Sequence, residues 1–315
     1  MKEHYKYPSI EQFRTIVKEV TQHYNHKEQP FPTLTFTGTV KLHGTNASVV
    51  LPDNYPQSRN EVLGEGKDNA GFAAWHSTKT ALFNLWWEWL KEDHPEIETA
   101  VIYGEWAGQG VQKGVGISEL PKDFYAFGIK VIDAEGNSKW LKDFLSPPDV
   151  KRIEWAGVFT CDINFSNPQL VQNHLISLTE KVEEQCPMAS IYGISGVGEG
   201  IVWKHITDDG HLIAFKVKGE KHIVSKVKTL ASVDVDRLCS IQEFVDYAVT
   251  DNRLLQIKSE MEGALSSKDT GDFIKRVSAD VHKEESDTLL ASGLTMKDVG
   301  SALSKKARDW LLMNI

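Results

Sequence analysis

A lysine that precedes a tight turn is the first feature of this sequence that could perform covalent chemistry. Lys41 begins the pattern K-x-H-G-x-N, in which His43 and Asn46 flank Gly44. An unprotonated lysine amine is a nucleophile, and neighbouring cations favour that form. Taken alone, such a segment more often marks an ordinary hairpin. Its chemistry therefore depends on which groups the fold places beside Lys41.

Two later segments offer an acid and further cations. Glu199 opens the pattern E-G-I-V-W-K, which ends at Lys204, and the pattern F-K-V-K contains Lys216 and Lys218. Side chains two residues apart in a strand point to the same face, so these two ammonium groups share one face. Such a pair suits a triphosphate and would favour the unprotonated form of a nearby Lys41.

The charge distribution leaves two interpretations open. The chain has 35 basic and 44 acidic residues and a net charge of −9, which argues against nonspecific coating of nucleic acid. Residues 216–228 nevertheless carry five lysines against one acid. This strip suits a phosphate site, but lysines that protect a strand edge would give the same pattern.

The hydrophobic pattern predicts an α+β fold, with a larger mixed domain at residues 1–228 and a small all-α domain at residues 229–315. Residues 52–72 are predicted to form a long loop, and Ser9 is predicted to cap the first helix. Predicted strands cover residues 34–40, 47–51, 100–105, 123–132, 201–203 and 212–217. Predicted helices cover residues 12–24, 78–91, 167–185, 242–250, 253–265, 270–290 and 296–313.

The cysteines and the apolar segments favour a cytoplasmic protein. The three cysteines lie far apart and form no C-x-x-C pair, which is typical of a reduced, intracellular chain. The first residues show no apolar signal-peptide core. The most apolar stretch, residues 81–90, is too short to span a bilayer, so we expect no membrane association.

The order of the motifs resembles the covalent nucleotidyltransferases, the superfamily of ligases and capping enzymes. Between the first and last lysine motifs lie Arg59, the pattern G-E-x-A-G around Glu105, and the pattern F-Y-x-F that ends at Phe127. Because its K-x-H-G motif contains histidine, the sequence resembles the RNA ligase 2 family in particular. The motifs extend from Lys41 to Lys218, and the helical tail is similar to that of the family's phage branch.

The resemblance implies a fold of antiparallel sheets with helices, similar to the ATP-grasp fold, and a three-step reaction. The enzyme would form a lysyl–AMP from ATP, transfer the AMP to an RNA 5′-phosphate, and join that end to a 3′-hydroxyl. It implies Mg²⁺ as cofactor, with Mn²⁺ as a substitute, and nicked duplex RNA as the expected substrate of a monomeric RNA-repair enzyme.

The resemblance also implies a role for each matching residue. The catalytic set is Lys41, His43, Lys204, Lys216 and Lys218. The nucleotide-binding set is Lys41, Asn46, Arg59, Glu105 (ribose), Phe127 (stacked on adenine), Glu199, Lys204 (near the phosphate), Lys216 and Lys218 (α-phosphate). The metal-associated acids are Glu199 and Glu105.

Val40 and Gly128 stand where the family has acids, so no residue is assigned to recognition of the adenine edge.

Three alternatives remain at this point. A DNA ligase or a GTP-using capping enzyme would share most motifs, although the strand-poor tail disfavours the OB domain that those enzymes usually carry. A noncatalytic RNA-binding module is a third alternative, and the intact Lys41 and Glu199 argue against it.

Overall fold

The computed structural model describes residues 2–26, 30–64, 66–220, 235–261 and 265–315. The chain forms two compact units. The first contains Met1–Thr21 and Pro32–Ser232, and the second contains Gln22–Phe31 and Val233–Ile315. The predicted domain boundary at residue 228 and the lysines at positions 221, 226 and 228 lie outside the described residues.

The described residues form strands and helices in the following order. The strands are β1 (Glu11–Gln12), β2 (Thr33–Val40), β3 (Thr45–Leu51), β4 (Tyr55–Ser58), β5 (Ile97–Ala107), β6 (Asp123–Asp133), β7 (Ser138–Trp140), β8 (Lys151–Arg152), β9 (Phe159–Asn164), β10 (Gly200–Ile206) and β11 (Leu212–Lys218). The helices are α1 (Phe13–His26), α2 (Phe72–Ser77), α3 (Thr80–Asp93), α4 (Gln172–Glu184), α5 (Pro187–Ile191), α6 (Val235–Ala248), α7 (Asp251–Ser259), α8 (Thr270–Ala291) and α9 (Met296–Met313).

Two sheets make up most of the first unit. The first has the order β1-β11-β10-β2-β9, and the second has the order β4-β3-β5-β6-β7 with β8 beside β6. All neighbouring strands are antiparallel except β1 with β11 and β6 with β8. The α+β class predicted from the hydrophobic pattern is therefore confirmed.

The start of α1 differs from the prediction. The helix begins at Phe13, and the two residues before it form β1, which pairs with Phe215 and Lys216 of β11. Ser9 lines a cavity instead of starting the helix, so its predicted capping role is wrong. The helical spacing from Ile10 onward is real, but pairing with a distant strand overrides it at the first positions.

The predicted loop at residues 52–72 was too long. It contains β4, which pairs with β3 from Ala47 opposite Ser58 to Val50 opposite Tyr55. Pro56 lies within β4, and proline cannot donate a hydrogen bond to a neighbouring strand. Since β4 is the edge strand of its sheet, Pro56 is tolerated there.

The described part of the second unit is helical, as the tail pattern predicted. Helices α6 to α9 enclose a core that includes Phe244, Phe273, Val277 and Leu303, each at most 4% exposed. Among the described residues, no helix is both long enough and apolar enough to cross a bilayer.

Candidate active site

A buried carboxylate joins two of the predicted lysines. The Lys41 Nζ lies 2.5 Å from Glu199 Oε2, and the Lys218 Nζ lies 2.6 Å from Glu199 Oε1. Glu199 is 2% exposed, whereas the Lys41 and Lys218 side chains are 22% and 32% exposed. One acid therefore orders two ammonium groups at the rim of a cavity.

Strand pairing explains why residues so distant in sequence meet here. Val40 at the end of β2 pairs with Ile201 of β10, and the Lys41 backbone N–H donates to the Gly200 carbonyl at 2.8 Å. On the other side of β10, Gly200 pairs with Lys218 of β11. The ends of three adjacent strands thus bring Lys41, Glu199 and Lys218 together.

The charged groups that contact Glu199 determine whether its carboxyl is ionised. Burial alone would raise the pKa of this carboxyl, but the ammonium groups of Lys41 and Lys218 outweigh burial and lower it. Glu199 is therefore an anion that holds two cations in place. His43 lies at the edge of this group, with its Nδ1 3.5 Å from Glu199 Oε2.

Lys216 faces the same cavity but bonds to a different partner. Its Nζ donates to the Ile10 carbonyl at 2.7 Å. Burial lowers the pKa of Lys216, and the neighbouring charges of Lys41 and Lys218 lower it further. The predicted pair of lysines on one strand face is present, with one on an acid and the other on a backbone carbonyl.

Glu105 binds the turn that follows Lys41. Its Oε1 accepts a hydrogen bond from the Gly44 N–H at 3.0 Å, and Asn46 lies opposite it in the β3–β5 pairing. A side chain at Gly44 would collide with the Trp106 carbonyl, which explains the glycine. Burial raises the Glu105 pKa to about 7, although the Lys41 ammonium and the Gly44 N–H oppose this rise.

Lys204, further along β10, lies in a different environment beside Phe127 of β6. The Lys204 Nζ donates to the Phe127 carbonyl at 2.6 Å and lies 5.3 Å from the centre of that ring. Burial lowers the Lys204 pKa to about 8, with the Glu154 carboxylate opposing and Arg152 adding to this effect. Lys204 therefore lies beside the predicted stacking ring, whereas the resemblance suggested a position near the phosphate.

One cavity of about 490 Å³ connects most of these residues. The predicted site residues that line it are Lys41, Asn46, Arg59, Glu105, Phe127, Lys204, Lys216 and Lys218. Two predicted residues, His43 and Glu199, are not on its wall, and both lie against the Lys41 side of the cluster. A space of this size is typical of a small-ligand site.

Several residues of the cavity wall carried no sequence signal that would identify them as site residues. Tyr7, Ser9 and Ile10 precede the first motif, and Tyr7 packs edge-on against Phe127 with ring centres 5.0 Å apart. Buried Gln57 ties this segment to the second sheet, because it bonds both the N–H and the carbonyl of Tyr5 at 3.1 and 2.6 Å. These contacts span more than 50 residues, so local patterns could not indicate them.

The two predicted metal-associated acids fit a metal that arrives with a nucleotide. The charge of Glu199 lies close enough to Glu105 to contribute to the raised pKa of Glu105. Across the described residues, no group of three or more His, Cys, Asp or Glu side chains could hold an ion alone. Mg²⁺ commonly uses one or two carboxylates together with substrate phosphates, and this donor set matches that pattern.

The chain was compared with protein families and with solved structures, and the family comparison agrees with the motifs. The family model described as RNA ligase matches residues 34–218. Among solved structures, a Naegleria gruberi RNA ligase mutant with ATP and Mn is 18% identical with a TM-score of 0.45, and covers 68% of this chain and 56% of its own. The same ligase with PPi is 18% identical with a TM-score of 0.43, covering 70% and 57%.

The chain thus spans a little over half the length of those ligases. A search of curated proteins found no match. The family model covers more than half of the 315 residues and includes every motif from Lys41 to Lys218. The chain belongs to the RNA ligase family.

Proposed function

We propose that this protein is an ATP-dependent RNA ligase of the RNA ligase 2 type, which joins 3′-hydroxyl and 5′-phosphate ends at nicks in duplex RNA. The observation that carries the proposal is the position of Lys41, whose amine reaches a nucleotide-sized cavity beside Glu199, Lys216 and Lys218. A nucleophile, an acid and two further cations are the groups that nucleotidyl transfer to lysine requires.

In the first step, the Lys41 nitrogen attacks the α-phosphorus of ATP. A nitrogen–phosphorus bond forms, the bond to the bridging oxygen breaks, and pyrophosphate leaves. The attacking amine must first lose a proton and its contact with Glu199, so the 2.5 Å ion pair describes a resting state. Lys216 and Lys218 face the same space and stabilise the charge on the phosphate oxygens.

The other cavity residues hold the nucleoside. Phe127 stacks on adenine, and we assign Lys204 to the base end because its amine bonds the Phe127 carbonyl. Glu105 and Asn46, paired across β3 and β5, bind the ribose. Arg59 lies on the cavity wall, where it binds the nucleotide and then the RNA 5′-phosphate.

Glu199 and Glu105, together with the phosphates, would hold Mg²⁺, for which Mn²⁺ would substitute. When bound, it neutralises charge that develops on the phosphate oxygens. Glu199 also bonds Lys41 and Lys218, so the same carboxylate would both orient these lysines and contribute an oxygen ligand to the metal.

The later steps use RNA. The AMP passes from Lys41 to the RNA 5′-phosphate, and the 3′-hydroxyl then displaces AMP to close the nick. His43 lies at the partly exposed edge of the cluster, where it serves these later steps. The helical domain predicted for residues 229–315 binds the duplex. The enzyme acts as a monomer in the cytoplasm.

Matched substrates test this function against its alternatives. We expect covalent labelling with ATP but not with GTP, and sealing of nicked duplex RNA in preference to nicked duplex DNA. Labelling with GTP alone would indicate a capping enzyme, and preferential sealing of DNA would indicate a DNA ligase. No labelling by either nucleotide would favour a noncatalytic RNA-binding module.

Removal of residues 229–315 tests the role of the helical tail. We expect the shortened chain to keep self-adenylation, because every residue on the cavity wall precedes residue 219. Sealing of nicked duplex RNA should fall at least tenfold, since phosphate contacts supply much of nucleic-acid affinity. Gel-based sealing and labelling assays measure both activities, and equal sealing by the shortened chain would exclude the tail from duplex binding.

A further inference from the structure

A second cavity of about 440 Å³ adjoins the first one, and the proposed reaction does not use it. Four residues line both cavities, so the two spaces meet at these side chains: Tyr7, Thr39, Phe127 and Lys204. All of the lining residues belong to the first unit. Two of these shared residues are bonded to each other, since the Lys204 amine donates to the Phe127 carbonyl.

The strands show how the two cavities are arranged. Along β10, Val202 lines the first cavity, Lys204 lines both, and Ile206 lines the second. Alternate residues of a strand face one side and advance by about 6.6 Å per pair. The cavities therefore follow one another along β10, and the second begins about one such repeat beyond Val202.

This arrangement fixes what a bound nucleotide would direct toward the second cavity. Under the proposed function, on which this inference rests, the α-phosphate lies at Lys41 and Lys218 and the base lies on Phe127. The nucleotide then extends along β10 from its phosphate to its base. The base edge farthest from the ribose faces Lys204 and the space behind it.

The lining of the second cavity favours a neutral group. Its charged residues already pair with each other or with neighbours, since Arg152 bonds Asp143 at 2.9 Å and Glu154 at 3.4 Å. Lys142 likewise pairs with Asp208 at 2.5 Å. The rest of the wall includes aromatic rings, aliphatic side chains and threonine hydroxyls, namely Trp140, Phe144, Leu141, Leu212, Thr35 and Thr37.

Gly128 keeps part of this space open. It follows Phe127 on β6 and lines the second cavity but not the first. A Cβ built at Gly128 would lie 3.4 Å from the Trp140 ring, an ordinary contact distance, so a methyl group fits there. A larger side chain would extend further into the cavity and narrow it beside Trp140.

We propose that the second cavity extends the nucleotide site and accepts a purine nucleoside triphosphate with a bulky, neutral, largely apolar substituent on the six-membered-ring edge of the base. The substituent enters beside Lys204 and contacts Trp140 and Phe144. The enzyme therefore forms its covalent adduct from such a nucleotide as well as from ATP.

The test compares ATP with N6-benzyl-ATP on the full chain, with Mg²⁺ and mass spectrometry of the intact adduct. For the wild type we expect kcat/KM for the two nucleotides to agree within about tenfold. Gly128→Val should keep ATP labelling and lose about 10- to 100-fold with N6-benzyl-ATP, because the new side chain occupies the space of the benzyl group. Gly128→Ala should lie between the two.

Gly271→Val, an exposed glycine of α8, is the matched control and should leave both reactions unchanged. ATP labelling by Gly128→Val shows that the variant is folded. Rejection of N6-benzyl-ATP by a wild type that uses ATP would overturn the inference, as would equal use of both nucleotides by Gly128→Val. Failure of the wild type to label with ATP would instead refute the proposed function, and this inference with it.

Discussion

The cavity that is lined by Lys41 and Phe127 has two ends, and different forces hold the residues in place at each end. At one end, Glu199 is bonded to Lys41 and Lys218, so that two ammonium groups lie within hydrogen-bond distance of one carboxylate. At the other end, Phe127 offers a ring, and Lys204 bonds a backbone carbonyl. The first end is built from ion pairs, and the second from aromatic surface and one enclosed cation.

This difference between the two ends predicts which kinetic constant each end should control. Charged groups that act on the phosphate lower the barrier of the chemical step, whereas a stacked ring contributes mainly to nucleotide binding. Substitutions at the Glu199 end should therefore lower kcat for adduct formation. Substitutions at the Phe127 end should raise KM for ATP.

The largest effect is expected for Lys41→Ala, which removes the nucleophile. We predict no covalent adduct with ATP, measured by intact mass spectrometry, and a circular dichroism spectrum like that of the wild type. Lys41→Arg is the matched control for charge, because a guanidinium keeps the positive charge beside Glu199 but is not a nucleophile. An adduct on either variant would place the reactive residue elsewhere.

Glu199→Gln should have the next largest effect. It keeps the shape of the side chain but removes the anion that orders Lys41 and Lys218. We expect kcat for adduct formation to fall by about 10²- to 10³-fold, with a smaller change in KM. Asp162→Asn on β9, the edge strand of the same sheet, is the control and should retain wild-type kinetics. A pure KM effect at Glu199 would contradict the division between the two ends.

Glu105 gives a pH-dependent prediction, since burial raises its pKa from 4.5 to about 7. Because the folded-state pKa is the higher one, the folded protein binds more protons between these values. The free energy of unfolding of the wild type should therefore fall, relative to Glu105→Gln, by roughly 3 kcal/mol from pH 4.5 to pH 7 and stay level above. Urea unfolding followed by tryptophan fluorescence measures this difference.

The exposed Glu98 supplies the control for that experiment. Glu98→Gln should leave the wild-type dependence of stability on pH in place. If Glu105→Gln and the wild type show the same dependence, the Glu105 carboxyl does not have the raised pKa that its surroundings predict.

Phe127→Ala should have the smallest effect. Loss of a stacked ring costs about 1–3 kcal/mol per base, so KM for ATP should rise roughly 5- to 150-fold while kcat changes little. Phe127→Leu keeps apolar volume without an aromatic face and should lie between Phe127→Ala and the wild type. Steady-state labelling across ATP concentrations measures both constants. A loss confined to kcat would contradict the assigned stacking role.

The Glu199 end could be predicted from sequence to a greater extent than the Phe127 end. Lys41, Lys216 and Lys218 lie in short motifs at strand ends, and regular pairing of β2, β10 and β11 is sufficient to bring them together. The position of Lys204 beside Phe127 depends on how two sheets face each other, which strand patterns do not specify.

The segment before β2 shows the same limit. Helical spacing placed Ser9 and Ile10 at the start of a helix, but both line the cavity, and the Ile10 carbonyl binds Lys216. Pairing between residues 11 and 215 determines this placement. A single sequence gives no local signal for a contact across 200 residues.

Mapping the covalent product of the wild type tests most directly whether Lys41 is the nucleophile. The protein is incubated with Mg²⁺ and ATP labelled in the adenine ring, denatured, digested and sequenced by mass spectrometry. We predict one adenylate per chain, on the Nζ of Lys41, released by pyrophosphate. An adenylate on another residue, or a chain that carries none while its fold is intact, would contradict the central claim.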